Sequence, residues 1–113
     1  TMVVDINELD LSKRYTYADY LTWNFKERVE LIRGWIFKMS PAPIDQHQRI
    51  ATGLSSEIYQ YFKKKPCQVR AAPYDVRLSD SKKSTDDNQI YTVVQPDICV
   101  ICDAAKIDQR GCS

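Results

Sequence analysis

Apolar residues recur every three or four positions through the middle of the chain, and this spacing is its clearest pattern. It predicts one long helix over about residues 45–64, with an apolar stripe along one side. Asp45 and Gln48 have the spacing of a capping box, and three lysines follow where positive charge complements the end of a helix. The predicted stripe consists of His47, Ile50, Ala51, Leu54, Ile58, Tyr61 and Phe62.

Short runs of β-forming residues lie on both sides of this helix. Two of them are separated by Arg33-Gly34 and predict a β-hairpin over about residues 28–39. Further strands are predicted over about residues 68–72, 75–78 and 93–102. One long helix among strands predicts an α+β fold with a mixed or antiparallel sheet.

Polar stretches suggest how the domain is bounded. Residues 1–14 are expected to form an N-terminal extension, so that the domain covers residues 15–113. Thr16 and Asp19 have capping-box spacing and predict a short helix at the start of this domain. The stretch from residue 79 to 88 lacks periodic apolar residues and is expected to be a mobile, solvated loop.

The composition is that of an ordinary globular protein, with 43% hydrophobic and 27% charged residues. The net charge of +1 argues against a uniformly basic domain but allows a local basic surface that contacts phosphates. The longest apolar run, residues 98–102, is far shorter than a membrane span, so a cytoplasmic protein is expected. The basic residues that could form such a surface are Lys63, Lys64, Lys65, Arg70, Arg77, Lys82 and Lys83.

Four cysteines allow a disulfide framework, a zinc site or small buried thiols. Cys99 and Cys102 have Cys-x-x-Cys spacing, but residues three apart in a strand point to opposite faces and do not converge on one metal. We therefore favour buried thiols in a reducing compartment, and the other two arrangements stay open.

Three carboxylates lie on or beside predicted strands: Glu30, Asp75 and Asp97. Asp97 follows Pro96, which lacks a backbone N–H and is tolerated at the start of a strand, so residues 98–102 are expected to continue into the core. Two such carboxylates at one sheet edge could hold Mg²⁺ or Mn²⁺. His47, the only histidine, is either a ligand-contacting residue or a partly buried histidine at the edge of the core.

Five short motifs occur in a characteristic order along the chain. They are residues 29–36 (VELIRGWI), residues 39–43 (MSPAP) followed by His47 to Ile50 (HQRI), residues 72–78 (APYDVRL), residues 94–98 (VQPDI) and residues 110–112 (RGC). This succession resembles the Uma2 family (DUF820) of restriction endonuclease-like proteins. The resemblance implies the PD-(D/E)XK nuclease fold, a mixed sheet flanked by helices with a divalent metal at one sheet edge.

The resemblance also implies roles for three residues. Asp97 matches the Pro-Asp aspartate that binds the metal, Glu30 matches an early acidic residue of the site, and His47 matches a histidine near the start of the long helix. A member of this family is expected to be a metal-dependent DNA endonuclease that uses Mg²⁺ or Mn²⁺ and has DNA as its partner.

The resemblance stops at Cys112, before the family's further glutamate, Ser-Pro turn and lysine. We therefore expect a truncated restriction-endonuclease-like fold, inactive by itself, which forms a homo-oligomer through an exposed sheet edge. The alternative is a catalytically inactive module that binds nucleic acid or another protein.

Overall fold

The computed structural model describes residues 2–39, 44–79 and 86–113. Most of the MSPAP motif, and most of the predicted loop at residues 79–88, lie outside these ranges. The chain consists of two compact units, one of Thr1–Pro41 with Arg77–Val94 and one of Ala42–Val76 with Gln95–Ser113. Within the described ranges, no helix is both long and apolar enough to cross a membrane.

The predicted α+β class is confirmed, with one long helix and two sheets. The helices are α1 (Tyr17–Tyr20) and α2 (Asp45–Phe62). The strands are β1 (Val29–Ile32), β2 (Trp35–Lys38), β3 (Gln68–Ala71), β4 (Val76–Leu78), β5 (Thr92–Val94), β6 (Ile98–Ile101), β7 (Ile107–Asp108) and β8 (Gly111–Cys112). Six of them form a mixed sheet in the order β2-β1-β5-β4-β8-β7, and β3 pairs with β6 in a second, antiparallel sheet.

The predicted hairpin is present as β1 and β2, which are antiparallel with Leu31 opposite Ile36. Both turn residues have positive φ, 52° at Arg33 and 91° at Gly34. Two positive φ values are typical of the type I′ turn, whose twist matches that of the paired strands. A Cβ at Gly34 would also lie 3.1 Å from side-chain atoms of Arg14 and Tyr91, so both the turn and its packing favour glycine.

The core of the first unit is built around α1 and β1, and it is formed by Tyr15, Tyr17, Leu31, Ile90 and Val93. The capping box predicted for α1 is present: the Thr16 backbone N–H donates to the Asp19 carboxylate at 2.9 Å, and the Thr16 hydroxyl accepts from the Asp19 N–H. Residues before position 15 also belong to this unit, since Ile6 is buried and Val3 bridges to Trp23.

The buried side chains of this unit include one charged residue, Arg77, which is only 4% exposed. Its guanidinium carbon lies 5.3 Å from the centroid of the Tyr17 ring. The prediction that Arg77 contributes to a phosphate-binding surface is therefore wrong, because this side chain packs into the core. Lys82 and Lys83, from the same predicted surface, are outside the described residues.

The long helix α2 is present close to its predicted bounds, but its predicted N-terminal cap is wrong. Ile44 is the N-cap and makes no side-chain cap hydrogen bond, while Asp45 is already helical. The helix packs against β3 in the second unit, with Ala51, Ser55, Ile58 and Phe62 half-buried. The rest of the predicted stripe is exposed: Ile50 by 58%, Leu54 by 46% and Tyr61 by 64%.

The apolar run predicted as a strand over residues 93–102 is divided between β5 and β6, which lie in different sheets. Pro96 lies at the break, where its missing N–H prevents a continuous ladder. The expected burial of residues 98–102 holds for Ile101, which is 8% exposed, but Val100 is 39% exposed and Cys102 is also exposed.

The predicted set of free thiols is wrong for two of the four cysteines. Cys67 and Cys102 form a disulfide. Cys67 directly precedes Gln68, and Cys102 directly follows Ile101. Since Gln68 and Ile101 are paired in the β3 and β6 ladder, the register of the second sheet places the two cysteines opposite each other. Cys99 and Cys112 do not form a disulfide.

Candidate functional site

Asp97 is held at the entrance of β6 by backbone hydrogen bonds of the second sheet. The Ala72 N–H donates to the Asp97 carbonyl at 3.0 Å, and the next pair of the ladder joins Ala71 to Ile98. The Asp97 side chain is 66% exposed. The predicted position of this residue at the start of a strand is confirmed, and its backbone is fixed while its carboxylate faces solvent.

His47 lies in the first turn of α2, and its Nε2 is 3.2 Å from the Asp97 Oδ2. Its side chain is 42% exposed, so its ring is accessible from solvent while it contacts Asp97. Such an exposed pair contributes only about 0–1 kcal/mol to stability. An ionised carboxylate has about four lone-pair sites, so Asp97 keeps the capacity to accept from, or to bind, a further group.

A second carboxylate, Asp75, holds the segment that leads to Asp97. The Gln95 side-chain amide donates to the Asp75 Oδ1 at 2.9 Å, and the Cys112 N–H donates to the Asp75 carbonyl at 3.1 Å. A Cβ at Gly111 would lie 2.1 Å from that carbonyl oxygen, so only glycine fits beside it. Three of the sequence motifs therefore meet at Asp75.

An open cavity of about 380 Å³ lies beside this junction in the second unit. Asp75, Gln95, Asp108 and Arg110 are among its lining residues. Sequence reasoning did not single out Gln95 or Asp108. Gln95 is only two positions before Asp97, and its polar side chain in an otherwise apolar run is the signal that could have drawn attention to it.

Glu30, the third predicted site residue, lies in the first unit on β1. It pairs with Phe37 of β2 and is half-buried. Its neighbours Val29 and Leu31 are 5% and 0% exposed, so the alternation of the strand directs Glu30 to the face opposite these two core residues. His47 and Asp97 are thus in contact within the second unit. Glu30 belongs to the first unit.

The metal implied by the sequence resemblance can be compared with these donors. Among the described residues, no group of three or more His, Cys, Asp or Glu side chains could hold a metal ion. Mg²⁺ in nucleotide-processing sites often binds through one or two carboxylates and keeps several waters. An exposed, backbone-fixed carboxylate such as Asp97 fits that mode, and carboxylate and water ligands suit Mn²⁺ as well as Mg²⁺.

Two further titratable groups lie in the second unit, and burial is the main influence on each. Burial raises the pKa of the Cys99 thiol, and the neighbouring Cys112 adds to the effect. Burial also raises the pKa of Tyr74, whose hydroxyl is enclosed and finds no hydrogen-bond partner among the described residues. A raised thiol pKa disfavours the thiolate, so Cys99 is not placed as a nucleophile.

The candidate site thus consists of an exposed carboxylate at the entrance of β6 and an imidazole in the first turn of α2, in a mixed α+β fold. A comparison with protein families identifies the class of protein. Residues 17–111 match the model of the Uma2 family, described as "Putative restriction endonuclease". The chain belongs to this family, as the sequence motifs predicted. No curated protein matches the chain.

Proposed function

We propose that this protein is a DNA endonuclease that hydrolyses phosphodiesters with the help of Mg²⁺ or Mn²⁺. We assign residues 15–113 to the N-terminal portion of the nuclease domain. Family membership supports the class, and the contact between His47 Nε2 and Asp97 Oδ2 is the observation that carries the assignment of the site.

In this proposal Asp97 of the second unit holds the metal through its carboxylate. A bound divalent ion would polarise the phosphodiester and activate water. His47 is a positioning residue, because its ring nitrogen fixes the orientation of the Asp97 carboxylate, much as partners of metal ligands do in other sites. The 66% exposure of Asp97 leaves room for a phosphate group of the substrate beside it.

Metal binding by Asp97 is the sharpest test of this site. Replacement of Asp97 by Asn keeps the size of the side chain and removes its charge, and we expect the affinity for Mn²⁺ to fall at least about tenfold. Electron paramagnetic resonance of free Mn²⁺ measures the affinity directly and needs no turnover. A smaller loss is expected for His47→Ala, because the ligand itself remains.

Glu57→Gln is the matched control, since it removes one exposed carboxylate from the distal half of α2. It should leave the Mn²⁺ affinity unchanged. Equal Mn²⁺ affinities for the wild type, Asp97→Asn and Glu57→Gln would refute the assignment of Asp97 as a metal ligand.

A nicking assay with supercoiled plasmid then separates an endonuclease from a non-catalytic module. Nicking that needs Mg²⁺ or Mn²⁺ and is lost in Asp97→Asn supports the endonuclease. Retention of duplex DNA on the protein without any nicking would favour a nucleic-acid-binding module that has kept the fold.

A further inference from the structure

A basic pocket of about 130 Å³ lies in the second unit, where α2 ends and β3 begins. Its cations are Lys63, Lys65 and Arg70, and the rings of Tyr59 and Phe62 form part of its wall. No acidic residue lines it. The pocket therefore combines positive charge with aromatic surface, a combination common where proteins contact nucleic acids.

The charge of this region contrasts with that of the rest of the chain. Residues 58–74 contain four basic residues and no acidic residue, whereas the remaining residues include twelve basic and fifteen acidic ones. The chain as a whole has a net charge of only +1. Positive charge is thus concentrated in residues 58–74, although the net charge of the whole chain is close to zero.

Two cations of the pocket, Lys65 and Arg70, are held in place without being neutralised. No ion pair with a described residue is formed by Lys63, Lys65 or Arg70. The Lys65 ammonium lies 3.6 Å from the centroid of the Tyr61 ring, and the Arg70 Nη1 donates to the Val69 carbonyl at 3.0 Å. Contacts of this kind orient a cation and leave its charge available to an anion.

Lysines after a helix are also explained by the negative end of the helix dipole, which is worth about 0.3–1 kcal/mol for each favourable charge. That explanation covers Lys63, which is the C-cap of α2, and its two neighbours. It does not cover Arg70, which reaches the same pocket from β3. Two separate elements therefore supply cations to one small cavity.

We propose that this basic pocket binds a backbone phosphate of the DNA at a distance from the His47 and Asp97 site. The inference rests on the proposed function and adds a second point of contact to it. His47 and Phe62 lie fifteen residues apart on α2. This separation corresponds to about 22 Å along the helix axis, or roughly six base pairs at about 3.4 Å each. Two contacts so separated would fix the orientation of the duplex on the second unit.

The salt dependence of DNA binding tests this contact. Each phosphate neutralised by a cation adds about 0.9 to the negative slope of log K against log salt concentration. Because the pocket contacts one phosphate, the double variant Lys63→Gln/Lys65→Gln should reduce the magnitude of the slope by about 0.9, and by a similar amount for unrelated DNA sequences. Fluorescence anisotropy with a labelled duplex, with Ca²⁺ in place of Mg²⁺, measures this slope.

The double variant Lys64→Gln/Lys106→Gln is the matched control. It removes the same charge from two exposed lysines that do not line the pocket. It should keep a slope close to that of the wild type. Arg70→Gln, a change in a different element, should reduce the slope by about 0.9.

The outcomes separate the two proposals. If the wild type binds DNA and both double variants lose slope equally, the pocket has no special role, while the endonuclease assignment stands. If the wild type does not bind DNA at all, the proposed function fails together with the pocket. A loss confined to the Lys63 and Lys65 variant and to Arg70→Gln supports both.

A second measurement distinguishes a DNA phosphate from a free phosphate ion. Thermal unfolding in inorganic phosphate and in sodium chloride at equal ionic strength should differ only by the non-saturating rise in Tm that phosphate gives to folded proteins in general. A saturable rise in Tm with phosphate that is lost in Lys63→Gln/Lys65→Gln would overturn the DNA assignment in favour of a small-anion site.

Discussion

The hydroxyl of Tyr74 is a polar group that the second unit encloses at some energetic cost. It has no hydrogen-bond partner among the described residues, and burial raises its pKa. A buried hydroxyl without a partner loses its hydrogen bonds to water and forms none within the protein. Tyr74 lies in the APYDVRL motif, directly before Asp75. Because its hydroxyl has no partner among the described residues, we expect its ring to contribute through packing and its hydroxyl not to stabilise the fold.

Replacement of Tyr74 by Phe should therefore leave the free energy of unfolding unchanged or raise it by about 1 kcal/mol. Urea unfolding at pH 7 measures this change. Tyr59→Phe is the control, since Tyr59 is 53% exposed and its hydroxyl meets solvent. A destabilised Tyr74→Phe variant would show that the hydroxyl has a stabilising partner.

The raised pKa of Tyr74 predicts that the free energy of unfolding depends on pH in the alkaline range. Since the pKa of Tyr74 is raised in the folded state above its ordinary 10.0, the folded protein binds more protons than the unfolded chain above that pH. This contribution to stability is complete below about pH 10 and is lost as the pH rises towards the folded pKa. Tyr74→Phe should flatten the decline of stability above about pH 10, and Tyr59→Phe should not.

At the scale of elements, the second sheet has only two strands, and a covalent bond closes one end of it. The Cys67–Cys102 disulfide joins residues 35 positions apart, beside the first pair of the β3 and β6 ladder. Asp97 and His47 lie towards the opposite end of the same ladder, where Ala72 bonds to the Asp97 carbonyl. The disulfide therefore limits fraying of the strand pair that carries the proposed metal ligand.

Removal of this disulfide in Cys67→Ser/Cys102→Ser should destabilise the protein by about 3–4 kcal/mol, as expected for a closed loop of this length. Urea unfolding under non-reducing conditions gives the value. Cys99→Ser serves as the control, because Cys99 is a free thiol in the same strand pair. Indistinguishable unfolding curves for the double variant and the control would contradict a stabilising disulfide.

At the scale of the whole molecule, the six-stranded sheet ends in β2, an edge strand with two exposed aromatic residues. Trp35 is 42% exposed and Phe37 is 50% exposed. Edge strands with apolar surface favour pairing with another chain, which natural proteins often prevent with charge. β2 has only Lys38 as a charged residue.

We therefore predict that the protein self-associates through β2 as its concentration rises. Phe37→Lys should shift the molecular mass measured by light scattering towards that of the monomer, because it adds charge to the edge. Tyr61→Lys, which places the same charge on exposed α2, should have a smaller effect. A wild-type monomer at every concentration would count against the prediction.

Most elements of the fold could be predicted from the sequence because they depend on neighbouring residues. The Arg33-Gly34 turn, the Thr16 and Asp19 capping box and the strand that begins after Pro96 all follow from local dihedral preferences and short-range hydrogen bonds. The two-residue strands β7 and β8 could not be predicted, since so short a run has no periodicity.

The sequence by itself determined the α+β class, the family and the carboxylate at the start of β6. Only the tertiary structure decided that His47 meets Asp97, that Cys67 bonds to Cys102 and that Arg77 is buried. The reason is physical. The first pair is 50 residues apart and the second 35, so their contacts depend on the register of β3 with β6 and, for His47, on the packing of α2 against β3. Arg77 is buried because its strand faces Tyr17, a contact that no local pattern encodes.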